Sequence, residues 1–208
     1  MYGDDPWSEL APPWQECFRL AWESFRNGSN PVGSVITDEH GRIVAQGRNR
    51  GAESRGNGNL LGGTLIAHAE INALAQLPPG DYPDHILWST LEPCFLCSAA
   101  AMHSHVGLVR FAARDPLMDG IDRLPTLNDW ASTRWPHREG PEGGFLGRFA
   151  GLLALSWELD RGSRVVPAAY ERSDTDLLDL AVRHRGRLRS LAAAPVDAVL
   201  HEIKPELG

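Results

Sequence analysis

Residues 86–103 read ILWSTLEPCFLCSAAAMH, and this stretch decides the fold. Ile86 to Thr90 is a short apolar run of strand length, ended by Glu92-Pro93. Proline fits where a helix begins, because the N–H it lacks would have no partner there. The alanine-rich run from Cys94 to His103 then predicts a helix, and residues 108–113, LVRFAA, predict the next strand. Strand, helix, strand in immediate succession indicates an α/β architecture.

Upstream, Pro12-Pro13 precedes Trp14, Cys17, Phe18, Ala21 and Phe25, which recur at helical spacing until Asn27-Gly28. Residues 32–37 and 43–47 predict a hairpin turning at Asp38-Glu39-His40-Gly41. Residues 50–63 carry glycine at 51, 56, 58, 62 and 63 and read as a mobile loop. A helix over 67–77 is stopped by Pro78-Pro79-Gly80. Downstream, residues 116–144 show no periodicity. They hold Pro116, Pro125, Pro136 and Pro141 with Trp130 and Trp135 among them, as in a functional or mobile segment. The two tryptophans either stack a substrate or pack the loop, and His137 and Arg138 are expected to face solvent. Residues 146–159 predict a helix, 165–169 a final strand, and Ser173 caps a last helix reaching about residue 194, before a tail. The expected organisation is one domain over residues 1–170, with 116–144 as an insertion, followed by a C-terminal helix and tail over 171–208. Together the elements predict an α/β sandwich around a mixed sheet.

The 208-residue chain carries 20 Lys and Arg against 27 Asp and Glu, a net charge of −7. That balance favours a small-molecule partner over nucleic acid. Arg183, Arg185, Arg187 and Arg189 alternate, so on a helix they do not share one face, and they read as a solvated helix. Three cysteines are too few for a disulfide scaffold. The acidic start and the lack of an apolar run of about 20 residues predict a cytoplasmic protein with no membrane partner. Cys17 reads as a buried core thiol.

The chemistry sits in two short motifs, His68-Ala69-Glu70 and Pro93-Cys94-Phe95-Leu96-Cys97. Cysteines three apart at a helix start put both sulfurs on one face, and the positive helix end favours thiolate, the form that binds zinc. His68 supplies a third ligand, and a catalytic zinc keeps its fourth position for water. Glu70, two residues on, is turned roughly 200° from His68 on a helix. It is therefore no ligand, but a base that takes a proton from the water and delivers protons to a ring nitrogen and a departing ammonia. The competing reading is a structural zinc closed by Cys17, His103 or His105. In it the chain is a zinc-stabilised interaction module without turnover. Glu70 has no task there.

The pairing of H-x-E with P-C-x-x-C resembles the zinc-dependent deaminases of the cytidine deaminase superfamily. The nearest branch is that of tRNA adenosine deaminases and guanine or cytosine deaminases. Pro31 to Ile36 looks like the family's first strand and Gly47-Arg48-Asn49-Arg50 like its G-x-N-R element. Thr90 to Cys94 looks like its T-L-E-P-C turn, and residues 102–115 continue the likeness. The resemblance implies a three-layer α/β/α sandwich with a central mixed five-stranded sheet, a homodimer or larger assembly, and a Zn2+ cofactor on His68, Cys94 and Cys97. It implies Glu70 as the catalytic residue. It also implies substrate contacts at Asn49, Ala69 and Asp115, although Asn49 alternatively caps a strand end and Asp115 alternatively serves as the turn residue before Pro116. The implied reaction is hydrolytic deamination, with the zinc-activated water as nucleophile. Its substrate is a nucleobase, a nucleoside or a related amino-heterocycle, or alternatively adenosine in tRNA.

Overall fold

The computed structural model describes residues 5–54 and 61–208, so residues 55–60 of the glycine-rich stretch read as a mobile loop lie outside the described residues. Helix α1 (Pro12–Arg26) starts at the proline pair and ends before Gly28. Strands β1 (Gly33–Thr37) and β2 (Ile43–Arg48) form the expected antiparallel hairpin. At its turn the Asp38 carboxylate accepts the backbone N–H groups of His40 and Arg42, each at 2.9 Å, and Gly41 takes φ +75°. Next come α2 (Ala69–Leu74), β3 (Ile86–Leu91), α3 (Phe95–His103) and β4 (Leu108–Ala113). The remainder holds α4 (Asp129–Arg134), β5 (His137–Glu139), α5 (Gly144–Asp160), α6 (Val165–Ser173), α7 (Thr175–Arg183), α8 (Arg187–Ser190) and α9 (Val196–Leu207).

The strands lie in the order β2-β1-β3-β4-β5. β1 runs antiparallel to β2 and β3, while β3/β4 and β4/β5 are parallel, so the sheet is mixed and five-stranded as expected. Side chains alternate across it. Val35, Trp88 and Ala112 face one layer with Phe18 of α1, Phe149 and Leu152 of α5, Leu180 of α7 and Leu200 of α9. Ile36, Leu87 and Phe111 face the other layer with Ala73 of α2 and Ala101 of α3. Each fully buried large side chain contributes roughly 1.5–3 kcal/mol.

Two glycines let helices touch the hairpin backbone from opposite sides. A Cβ on Gly33 would stand 2.0 Å from the Cys17 carbonyl oxygen of α1, and one on Gly47 would stand 2.3 Å from the Ala69 oxygen and 2.5 Å from the Ala73 nitrogen of α2. The first glycine of the G-x-N-R element is thus a seat for α2.

Three expectations need correction. Residues 165–169 are not a strand but the start of α6, and the fifth strand is β5, inside the irregular segment. Three residues are too short to display a period of two, and β5 is held to β4 by register and by the Arg110–Glu139 ion pair at 2.6 Å. The helix after Ser173 is capped by Asp174, whose Oδ1 accepts the Leu177 N–H at 3.0 Å, and it ends at Arg183. The tail is α9, with Val196, Val199, Leu200, Ile203 and Leu207 all buried at helical spacing. Pro195 marks its start and not a loss of structure. Among the described residues no helix is long and apolar enough to cross a membrane.

Because a Cβ at Gly47 would run into the backbone of α2 at Ala69, Asn72 and Ala73, Gly47→Ala should cost about 1–3 kcal/mol. Urea unfolding measures this, and a cost below a few tenths would show that α2 does not rest on β2 at this point.

Candidate metal centre

Two helix starts converge at the ends of β2 and β3. Cys94 precedes α3 in extended backbone (φ −66°, ψ 176°) and Cys97 lies in the first turn. The Ser98 hydroxyl donates to the Pro93 carbonyl at 3.0 Å and tightens that turn. His68 precedes α2, also extended (φ −73°, ψ 156°). The Arg50 N–H donates to the Ala67 carbonyl at 3.0 Å, tying the residue before His68 to the chain leaving β2. Asn72, fully buried, donates to the Arg48 carbonyl at 3.1 Å and accepts the Leu61 N–H at 2.8 Å. The sequence expectation had His68 within the helix and Glu70 a half-turn away. His68 instead lies just before α2 in extended backbone, and Glu70 stands beside the donors as expected of a base, its Oε2 3.2 Å from the Cys97 sulfur.

The His68 Nδ1 lies 3.4 Å from Cys94 Sγ and 3.3 Å from Cys97 Sγ, and the sulfurs are 3.6 Å apart. Ordinary zinc bond lengths in a tetrahedron place two sulfurs about 3.8 Å apart and a nitrogen about 3.5 Å from each. The donor triangle fits a zinc ion in size, and one imidazole with two thiols fits it in chemistry. The Cys97 thiol beside it holds Cys94 down to about 4, with His68 adding to the effect. Cys97 is pushed up by the neighbouring Cys94 sulfur and by burial. The Cys94 sulfur raises His68. The centre therefore holds thiolate at Cys94, the form a metal takes.

Glu70 is 4% exposed. The Ser89 hydroxyl donates to its Oε1 at 2.9 Å, and the Cys97 thiol donates to Oε2 at 3.2 Å. Burial raises its proton affinity. The residues considered as a fourth ligand sit elsewhere. Cys17 lies in the core with its sulfur 3.7 Å from the Trp88 carbonyl, and burial pushes its thiol up. The His103 ring lies tilted at 57° against Trp130, centroids 5.8 Å apart, and His105 faces Asp81 at 3.7 Å, both at the far end of α3. Among the described residues, His68, Cys94 and Cys97 are the group able to share an ion.

A cavity of about 480 Å³ opens at His68 and is bordered by Asn30, Asn49, Gly51 and the C-terminal end of α5. Asn49 lies on this wall, its Oδ1 accepting the Gly51 N–H at 3.0 Å. Ala69 is fully buried as the first residue of α2. Asp115 is half-buried and caps the turn at Pro116 by accepting the Leu117 N–H at 2.9 Å. Burial pushes its carboxyl up to about 6, with Glu92, Cys94 and Glu158 adding repulsion. Sequence reasoning missed Trp157, Glu158 and Arg161, which close the far side of the cavity. The Arg161 guanidinium lies 4.2 Å over the Trp157 ring, and the Trp157 Nε1 donates to the Gly28 carbonyl at 3.0 Å. Their one signal was the switch from apolar to charged residues at the end of α5. Trp130 and Trp135 border other surface hollows. Arg138, expected in solvent, has a side chain only 8% exposed. Three members of the arginine run have acidic neighbours: Arg187 pairs with Glu202 and Glu206 at 3.0 and 2.7 Å, and Arg185 and Arg189 lie 4.0 and 3.7 Å from Asp160.

Residues 13–113 match the family model described as the cytidine and deoxycytidylate deaminase zinc-binding region. The tRNA-specific adenosine deaminase of Streptococcus pyogenes serotype M1 is 30% identical over 136 residues, covering 64% of this chain and 73% of that protein. The tRNA(Ile)-lysidine synthase of Deinococcus radiodurans is 30% identical over 133 residues, or 62% of this chain, which spans only about a fifth (21%) of that larger protein. The guanine deaminase of Nitrosomonas europaea superposes with a TM-score of 0.50 at 24% identity, covering 72% of this chain and 86% of that one, a likeness of fold.

Metal content should follow the donor triangle. After dialysis, His68→Ala, Cys94→Ser and Cys97→Ser should each fall from about one zinc per chain towards none, while Glu70→Gln keeps it. Elemental analysis decides, and a Cys97→Ser variant that retains full zinc would remove that sulfur from the centre.

Proposed function

The chain belongs to the cytidine and deoxycytidylate deaminase zinc-binding family, and on that premise we propose that it is a zinc-dependent hydrolytic deaminase of a nucleobase, nucleoside or related small amino-heterocycle. The observation that carries this reading is a buried carboxylate, Glu70, set against a centre of three protein donors. A zinc on His68, Cys94 and Cys97 supplies the Lewis acidity that makes water a competent nucleophile at neutral pH. Glu70 takes one proton from the attacking water and passes it to the ring nitrogen, then carries the second water proton to the exocyclic amine, which departs as ammonia, so an exocyclic C–N bond is exchanged for C=O. Ser89 holds one Glu70 oxygen, and the other lies 3.2 Å from the Cys97 sulfur, a position that supports proton transfer beside the donors. Asn49 and Glu158 border the space for the heterocycle, Glu158 as an acceptor for N–H groups on its edge.

The volume of about 480 Å³ suits one base or nucleoside. The net charge of −7 and the internal pairing of the arginine run also favour a free small molecule over a polynucleotide. A second reading, adenosine within tRNA, is favoured by the likeness to the Streptococcus pyogenes enzyme. Two metal-binding thiols fit a reducing compartment, the cytoplasm in this reading. Phe95 and Leu96, exposed on the first turn of α3, fit a homodimer contact.

Ammonia release from a panel of bases, nucleosides, nucleotides and tRNA tests the proposal. Release from one small heterocycle, cut about 10²–10⁴-fold in kcat by Glu70→Ala with zinc retained, is the expected result. Release from tRNA alone supports the second reading. No release, with a fourth protein ligand on the metal, would overturn the enzyme reading. Glu158→Gln should raise KM about tenfold for a substrate with an N–H edge and leave zinc content unchanged. An unchanged KM would take Glu158 out of the recognition surface.

A further inference from the structure

The irregular segment between β4 and α5 delivers one side chain to the metal centre. Arg138 of β5 and Glu92, which stands two residues before Cys94, are both almost fully enclosed, with side chains 8% and 9% exposed. Arg138 Nη2 donates to Glu92 Oε1 at 2.8 Å and Nη1 donates to the Ser98 hydroxyl at 3.1 Å. One planar guanidinium thus grips both flanks of the Cys94–Cys97 turn, the residue before Pro93 and the residue after Cys97. The guanidinium also lies 5.3 Å over the Phe111 ring, and its Nε faces Asp122 at 3.4 Å, so its own orientation is fixed. The other oxygen of Glu92 accepts the Asp115 N–H at 3.2 Å. Through Glu92, then, the same arginine sets the backbone at the end of β4.

We propose that Arg138 is a positioning residue for the zinc centre, acting through Glu92 and Ser98 to hold the two sulfurs at their binding separation. The inference rests on the zinc reading above. A sulfur pair spaced at 3.6 Å is set by the φ and ψ of residues 93–98, and the two side chains that brace this turn from outside both end on Arg138. Lysine cannot replace it: a single ammonium reaches one of the two acceptors but lacks the fork that spans both. Groups that orient metal ligands from outside commonly change metal affinity 10–100-fold when removed.

The test uses the full chain loaded with zinc or cobalt(II). Arg138→Lys is expected to release zinc to a chelator at least about tenfold faster and to shift or weaken the sulfur-to-cobalt absorption bands. Arg110→Met, which breaks the other ion pair onto β5, serves as control and should lower thermal stability without altering either readout. In a Glu92→Gln background the effect of Arg138→Lys on zinc release should shrink, because the two act through one contact. Should Arg138→Lys fold poorly, Ser98→Ala removes one of the two braces and should show the same cobalt shift in smaller measure. Unchanged zinc release and cobalt bands in folded Arg138→Lys would overturn the proposal and leave Arg138 as a stabilising ion pair. A wild-type chain that takes up neither metal would instead overturn the zinc reading itself.

Discussion

Two sulfurs and an imidazole nitrogen cannot sit within 3.6 Å of one another by accident of collapse, because each is a polar group that would otherwise seek its own partner. Their approach is imposed by backbone. At both helix starts the residue in the cap position is a donor to the centre, His68 before α2 and Cys94 before α3, and neither side chain caps its own helix. A serine or aspartate there would bond to the helix N–H groups. These two helices give up that stabilisation, about 1 kcal/mol each, and their side chains are free to turn towards each other. The extended backbone at each cap is what aims them.

Everything that holds those two caps together lies deeper in the fold. α3 is fixed because β3 and β4 pair in parallel on either side of it in sequence. α2 is fixed because Gly47 lets it rest on the hairpin backbone and Asn72 ties it to the end of β2. The alternating strand faces then bury α1, α5, α7 and α9 on one side of the sheet, so the centre lies at the edge of a well-packed layer. The residues of α6 and α9, which sequence reading left as a strand and a tail, belong to the architecture that carries the wall of the cavity.

The legible part of the sequence was the part whose signal is local. The hairpin, β3, α3 and β4 carry their turn residues and periods within a few positions, and each stands where expected to within a residue or two. The clustering of His68, Cys94 and Cys97 was legible because liganding needs particular residue types at fixed spacing. What escaped reading depends on contacts far along the chain. β5 exists only through its pairing with β4 and its ion pairs, and three residues carry no periodicity of their own. Trp157, Glu158 and Arg161 face the cavity because α5 crosses behind the sheet, which no local pattern announces. Arg138 looked like a solvated charge for the same reason. Its partners, Glu92 and Ser98, are more than 35 positions away, at separations of 46 and 40. The backbone detail at His68 was also hidden, since a helix start and the extended residue before it read alike.

The chain also divides its labour along its length. The three donors and the buried Glu70 carboxylate come from residues 68–97, while the far wall of the cavity comes from the C-terminal end of α5. The wall is anchored from the opposite direction: Trp157 bonds to Gly28 after α1, and Trp22 of α1 donates to the Ala194 carbonyl at 2.8 Å before α9. A change in the C-terminal helices can therefore reshape the wall without touching the donor triangle, around which Asn72, Glu92, Ser98 and Arg138 make their hydrogen bonds. That separation lets the two parts of the site vary independently. The donor triangle is held where backbone is most constrained, whereas the far wall of the cavity rests on a helix end tied to the chain after α1 by the Trp157–Gly28 hydrogen bond.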